Sequence, residues 1–310
     1  MEAHTTAVAR ARALELSPSR FLAVALVSLG ALWLIVATGA AVRLTGSGLG
    51  CRHWPGCESG HALPAKDYHA YIEFGNRVVG GVTIVLTLLT ALAALRTTGL
   101  GRGARRLAWA IFGGTLAQAP LGLLAVTTDL RWPIVMAHLL LSIALLGAAV
   151  VLVLETLRVR NGAAAPTLPR ELLRAGLLVA ASCFVLVVSG TLATAAGPHA
   201  GGEGHIKRLW RLEPMIVGHA AVVGLFGCGF LFVLGYLAAA RDRARPLFRL
   251  ALGVLGALVV QMAIGEIQYR THLPWWLVLV HVALASAVWA GVVALVTLMW
   301  RPTGALVGRT

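Results

Sequence analysis

Charge is scarce in this 310-residue sequence, and acidic charge scarcest: 12% of residues are charged, with 12 Asp+Glu against 26 Lys+Arg. A soluble domain is about a quarter charged and about half apolar. Here 58% of residues are hydrophobic and the mean hydropathy is +0.83, more apolar surface than one soluble core of this length can hide. The composition excludes a soluble enzyme and predicts an integral membrane protein. The net charge of +14 raises the alternative of a polyanion partner, and the placement of the basic residues decides it.

Eight segments are apolar over the roughly 20 residues that a bilayer crossing needs: 21–43, 72–95, 107–127, 133–155, 172–194, 214–238, 248–267 and 276–299. The first is long for the apolar region of a leader and precedes no small-residue cleavage site, so it is expected to persist as a span. Segments 1–20, 96–106, 156–174, 240–249 and 300–310 carry 17 Lys and Arg; 44–71, 128–132, 195–213 and 268–275 carry 7. Basic residues are retained on the cytoplasmic side, so both termini are expected in the cytoplasm and loop 44–71 outside. Topology then accounts for the charge, and no nucleic-acid partner is expected. Trp54, Trp132, Trp210, Trp275 and Trp276 lie in or beside the outward segments, as an interfacial belt does.

The sequence repeats itself. Gln118, Gly122 and His138 recur as Gln261, Gly265 and His281, and Gly75-Asn76 as Gly218-His219, all displaced by 143 residues. Gly39 and Gly46 match Gly190 and Gly197 at a displacement of 151, as a change in loop length produces. Four spans per half make the repeat parallel, about an axis along the membrane normal. The prediction is an all-α polytopic membrane protein of two pseudo-symmetric four-helix bundles, 1–160 and 172–310. A cytoplasmic linker, 161–171, is marked by Pro166 and Pro169.

Polar groups inside a bilayer are costly and mark functional sites. Asn76, His138, His219 and His281 each fall four or five residues inside the outward end of an even-numbered apolar segment, roughly 6–8 Å deep at helical rise. Two imidazoles from different helices at one depth suit the two axial faces of an iron porphyrin; two ligands are too few for zinc. In the first half, Asn76 stands where the repeat places a histidine. His138 alone leaves one axial face open there. Glu73 lies one turn outward of Asn76 on the same helix face, either at that site or as a solvated interfacial carboxylate. Arg43 and Arg77 could each pair with a porphyrin propionate through the planar guanidinium fork, or snorkel to lipid phosphate.

Cysteine is sparse. Cys51 and Cys57 flank Arg-His-Trp-Pro-Gly in the first outward loop, where a disulfide is permitted and a metal site with His53 competes. Cys183 and Cys228 lie in spans and read as small packing residues. His61, His69, His199, His205 and His272 read as solvated loop residues.

At these residues the chain resembles the haem A synthase family. The motifs are Arg43-Leu-Thr-Gly-Ser-Gly-Leu-Gly-Cys51, Trp54-Pro-Gly-Cys57, Ile72-Glu73-Phe-Gly-Asn76-Arg77, His138, Gly218-His219 and His281, spread through nearly all the spans. The resemblance implies eight helices in two four-helix bundles and oxidation of the C8 methyl of haem O to the formyl of haem A, through successive hydroxylations, for cytochrome oxidase. It implies a permanent haem b on His219 and His281, with the substrate haem beside His138 and Asn76. Glu73 is implied as catalytic, and Cys51 and Cys57 as a disulfide. Implied partners are haem O synthase and an electron donor, a quinol or another reductant, in the plasma membrane; the sequence is compatible with a homo-oligomer. Two departures stand out: many members have histidine at the position of Asn76, and 195–213 lacks the family's second cysteine pair. The competing classes are a cytochrome b-like, quinone-linked electron carrier and a transporter.

Overall fold

The computed structural model describes residues 15–304 apart from 62, 65, 165–167, 200, 202–205 and 207. His205 and Pro166 therefore lie outside the described residues, as do positions 1–14 and 305–310. Eight helices follow one another: α1 Pro18–Leu44, α2 Tyr68–Arg96, α3 Arg102–Thr127, α4 Trp132–Asn161, α5 Arg170–Ala196, α6 Leu212–Ala239, α7 Arg241–Arg270 and α8 Trp275–Trp300. Each is long and apolar enough to cross a membrane, and each contains one of the apolar segments read from the sequence. The protein is an all-α, multi-pass membrane protein.

Local chemistry sets the ends of these helices. Ser17 Oγ accepts from Arg20 N–H before α1, and an Asp67 carboxylate oxygen accepts from Ala70 N–H before α2, each satisfying a first-turn donor. Proline occupies the first turn of α1 and α4, where its missing N–H costs nothing. In α7 the backbone departs from helical geometry at Ala244, two residues before Pro246, so the straight apolar part begins just beyond, as proline dictates.

The helices close into two rings. In the first, α1 packs on α2 and α4, and α3 on α2 and α4; in the second, α5 packs on α6 and α8, and α7 on α6 and α8. The diagonal pairs, α2 with α4 and α6 with α8, make no direct packing contact among the described residues. α8 also packs on α1 and α4, joining the rings. Trp289 of α8 is the wedge: its indole N–H donates to Ile143 O over 2.9 Å, and a Cβ on Gly147 would stand 3.0 Å from that nitrogen.

The main apolar core of each ring lies in one half of its length. Phe21, Ala91, Ile111 and Leu146 belong to the first core, and Phe226, Phe230, Leu237, Val292 and Leu295 to the second. These positions lie toward the end away from Cys51 and Cys57. In α6 every buried residue lies at or beyond Phe226, and in α7 at or before Val254. In the other half of the second ring α6 and α7 contribute no buried side chain. On the outside, Leu178, Val217 and Leu225 are 72%, 69% and 68% exposed, an apolar belt that only lipid can cover.

The repeat reaches into the backbone. The α3–α4 turn carries consecutive left-handed residues, Asp129 (φ 52°) and Leu130 (φ 54°); the α7–α8 turn carries His272 (φ 64°) and Leu273 (φ 58°). Leu130 N–H donates to Ala125 O and Leu273 N–H to Gln268 O, at 2.8 and 2.7 Å. Both pairs of positions differ by 143 residues, the offset of the sequence repeat.

Candidate functional site

Four polar settings occupy the outer halves of the two rings. In the first ring, Gln118 of α3 donates to His138 O at 3.1 Å and Ser142 Oγ at 2.6 Å, and a Cβ on Gly122 would lie 3.6 Å from His138 Cε1. In the second, Gln261 of α7 donates to His281 O at 3.0 Å, and a Cβ on Gly265 would lie 3.1 Å from His281 Cε1. His138 Nδ1 and His281 Nδ1 are both buried and without a hydrogen-bond partner. A buried unpaired ring nitrogen is costly, so its recurrence at both equivalent positions marks an adapted site.

The partners across each ring are built alike but differ in chemistry. Ser189 Oγ donates to Leu186 O at 2.8 Å and lies 2.8 Å from His219 Nδ1. A hydroxyl has one proton. With it committed to Leu186, the oxygen accepts from Nδ1–H, and the lone pair of His219 is left on Nε2, the tautomer a metal ligand requires. In the first ring Thr38 Oγ1 donates to Asn76 Oδ1 at 2.8 Å. That engages the amide oxygen, and the amide has no second lone-pair nitrogen to offer. Thr38-Gly39 and Ser189-Gly190 differ by the 151-residue displacement already visible in the glycines. The hydroxyls were missed in the sequence because Ser and Thr inside apolar helices are ordinary; their place before the repeated glycine was the available signal.

His219 stands on α6 and His281 on α8, diagonal members of the ring and within electrostatic reach of each other. Asn76 on α2 and His138 on α4 form the corresponding diagonal. Their depth along the helix exceeds the sequence reading, because the helices start one to four residues before the apolar edges, at Tyr68, Trp132, Leu212 and Trp275. The side chains sit six to eight residues inside the helix starts, about 9–12 Å at helical rise.

Glu73 is 4% exposed, so the solvated-carboxylate alternative is overturned. Its Oε2 accepts from Cys51 N–H at 2.8 Å, and Oε1 pairs with Arg77 one turn along α2. Arg77 also donates to the carbonyls of His53, Pro55 and Gly56. One carboxylate and one guanidinium thus grip the loop closed by the Cys51–Cys57 disulfide. The bond uses both thiols, so the His53 metal site is ruled out. Gly50 belongs to the same fit, since a Cβ there would meet the His69 backbone at 2.5–2.8 Å.

Arg43 is likewise committed, its Nε donating to His199 O and Nη2 to Thr194 O, each over 3.1 Å. Two loop histidines read as solvated are instead structural: His199 Nε2–H donates to Leu273 O at 2.8 Å, and His69 Nδ1 meets Ser47 Oγ at 3.0 Å. Gly48 N–H donates to Gly201 O at 2.8 Å, so the loops of both rings at the Cys51–Cys57 end interlock. Cys183 is buried as expected, whereas Cys228 is exposed on the apolar belt and is not a packing residue.

The fit to an iron porphyrin rests on the residues themselves: unpartnered buried nitrogens, an imidazole whose Nδ1 meets a hydroxyl, glycines flush against the rings, and stretches of α6 and α7 at the histidine level without a buried side chain. Comparison with known proteins points the same way. The chain is 34% identical over 297 residues to a protein named protohaem IX farnesyltransferase from Thermus thermophilus, covering 86% of this chain and 46% of that protein. It is 32% identical over 135 residues to a haem A synthase of Geobacillus kaustophilus, covering 42% of this chain and 40% of the relative. It is 30% identical over 171 residues to a haem A synthase of Shewanella oneidensis, covering half of each. The chain spans about half the length of the curated relatives it matches. Residues 23–201, more than half of the chain, match the family described as cytochrome oxidase assembly protein. With the disulfide loop, the first ring and the start of the second inside that match, the chain belongs to the cytochrome oxidase assembly protein family.

Proposed function

We propose that this protein is a haem A synthase, oxidising the C8 methyl of haem O to a formyl group by successive hydroxylations for cytochrome oxidase. The observation that carries the reading is the asymmetry between two otherwise matched sites. One pairs His219 with His281; the other pairs His138 with an amide that Thr38 already engages. Two imidazoles suit a resident haem b that passes electrons, whereas a single one leaves a face open for a substrate haem. The bound porphyrin irons supply the redox and oxygen chemistry.

The remaining roles fall to the chain. Ser189 holds the His219 ring and its tautomer, while Gln118 and Gln261 fix the α4 and α8 backbones at His138 and His281. Among the described residues Glu73 is the only buried acid, one turn outward of Asn76, and it is assigned the holding or moving of a proton at the reacting methyl. Arg77 and the Cys51–Cys57 loop keep that carboxylate in place. Haem O would come from a haem O synthase and electrons from a quinol or another reductant. The protein would sit in the plasma membrane, with termini in the cytoplasm and the disulfide loop outside.

Farnesyl transfer, named for the Thermus relative, is disfavoured. This chain covers 46% of that protein, so the name of the whole is not carried over to it. Acid-acetone extraction and chromatography of haems from a host that makes haem O but lacks haem A tests the reading. Expression of the chain should convert haem O to haem A. Unchanged haem O alongside a bound, reducible haem would make the protein an electron carrier instead.

Ser189→Ala removes only the hydroxyl that orients His219. It is expected to weaken binding of ferric protoporphyrin about 10–100-fold, the usual cost of losing a ligand's hydrogen-bonding partner. Titration followed by the haem absorption band reads the change.

A further inference from the structure

We infer that the outer mouth of the second ring is a carboxylate-binding site, in which Arg208 and Arg211 hold the propionates of the porphyrin that His219 and His281 ligate. The inference rests on the haem reading above and adds the orientation of the ring. Sequence alone nominated Arg43 and Arg77 for this task. Both are already committed: Arg43 to the carbonyls of Thr194 at the end of α5 and of His199 in the loop after it, and Arg77 to Glu73 and three carbonyls of the disulfide loop. A cavity of about 570 Å³ lies elsewhere, over the second ring. Its walls come from the ends of α5 (Ala196), α6 (Leu212) and α7 (Tyr269) and from the α7–α8 turn (His272, Leu273), with Arg208 and Arg211 at the rim.

Leu212 precedes His219 by seven residues on one helix, about 10 Å along its axis. That matches the reach from a porphyrin iron to its propionate carboxylates when the ring stands along the bundle. The rim arginines are free to turn inward. Arg208 makes a long 3.5 Å contact with Pro198 O, and Arg211 a loose 3.6 Å pair with Glu213, both side chains of that pair about three-quarters exposed. Two planar guanidinium forks outnumber the one carboxylate that also lines this mouth, Glu213, and suit two further carboxylates. The opposite end of the ring is closed by the Phe226–Phe230–Leu237 core, which would leave a propionate unpaired. The carboxylates therefore point outward.

The test titrates the full-length protein with ferric protoporphyrin IX and with its dimethyl ester, which keeps the ring and iron but has no carboxylates. The wild type should bind the diacid about tenfold or more tighter than the ester, as loss of charge-assisted bonds implies. The Arg208→Gln/Arg211→Gln pair should bring the diacid down to the ester's level and leave ester binding unchanged, which also shows that the variant folds. Equal binding of diacid and ester by the wild type would overturn the proposal, as would a pair variant that keeps the diacid preference. Wild type that binds neither porphyrin sinks the haem reading itself, a separate failure.

Discussion

The Glu73→Gln variant is expected to keep its bound haem and its fold while haem A production falls about 10²–10⁴-fold, the range for loss of a general acid–base group. Glutamine keeps the side chain's shape and one acceptor oxygen, enough for one of the two contacts that Glu73 makes through Oε2 to Cys51 N–H and through Oε1 to Arg77, but it cannot take a proton. The substitution therefore removes the proton site while disturbing the loop less than truncation does. Glu73→Ala should lose the activity and also loosen the loop, because it strips Arg77 of its buried partner and leaves Cys51 N–H unpaired. Faster reduction of Cys51–Cys57 by a water-soluble phosphine, relative to wild type and Glu73→Gln, reads that second effect. Full haem A accumulation in Glu73→Gln would reduce Glu73 to a clamp on the disulfide loop.

His281→Ala and His219→Ala should each abolish the low-spin haem of the second ring, with affinity for ferric protoporphyrin down by at least 100-fold. That exceeds what is lost with a mere supporting hydrogen bond. The loss is larger than a packing defect can explain, because neither ring lies in the buried core, which begins at Phe226 on α6 and, on α8, consists mainly of residues from Ser286 onward. A reduced-minus-oxidised spectrum of each purified variant measures it. His138→Ala serves as the comparison, since it should leave that spectrum in place while haem O oxidation fails. Should His219→Ala and His281→Ala both retain the wild-type spectrum, neither histidine would be a haem ligand.

The spans were legible because a bilayer imposes length and apolarity on every crossing segment, and those two properties are written along the chain. The internal repeat was legible for the same residues that the fold reuses: Gln118 and Gln261 make the same bond to the carbonyls of His138 and His281. What the sequence could not express was commitment. Arg43 and Arg77 look like free guanidiniums in a string of letters, yet each is taken by backbone carbonyls that only the closed fold brings near. His69 and His199 likewise read as solvated until the outward loops interlock. The hydroxyls of Thr38 and Ser189 escaped notice because their function depends on which ring nitrogen faces them, a matter of rotamer rather than residue type. The helix starts lie outward of the apolar edges, as at Tyr68 against 72, since capping by Asp67 extends a helix beyond the residues that lipid requires to be greasy.

The pairing of His219 with His281 on one iron is the claim on which the rest stands, and low-temperature electron paramagnetic resonance of the oxidised, full-length protein tests it most directly. The expected result is a low-spin ferric signal of the bis-imidazole type, absent from His281→Ala. Colourless protein from a haem-replete host, or a high-spin signal alone, would contradict it.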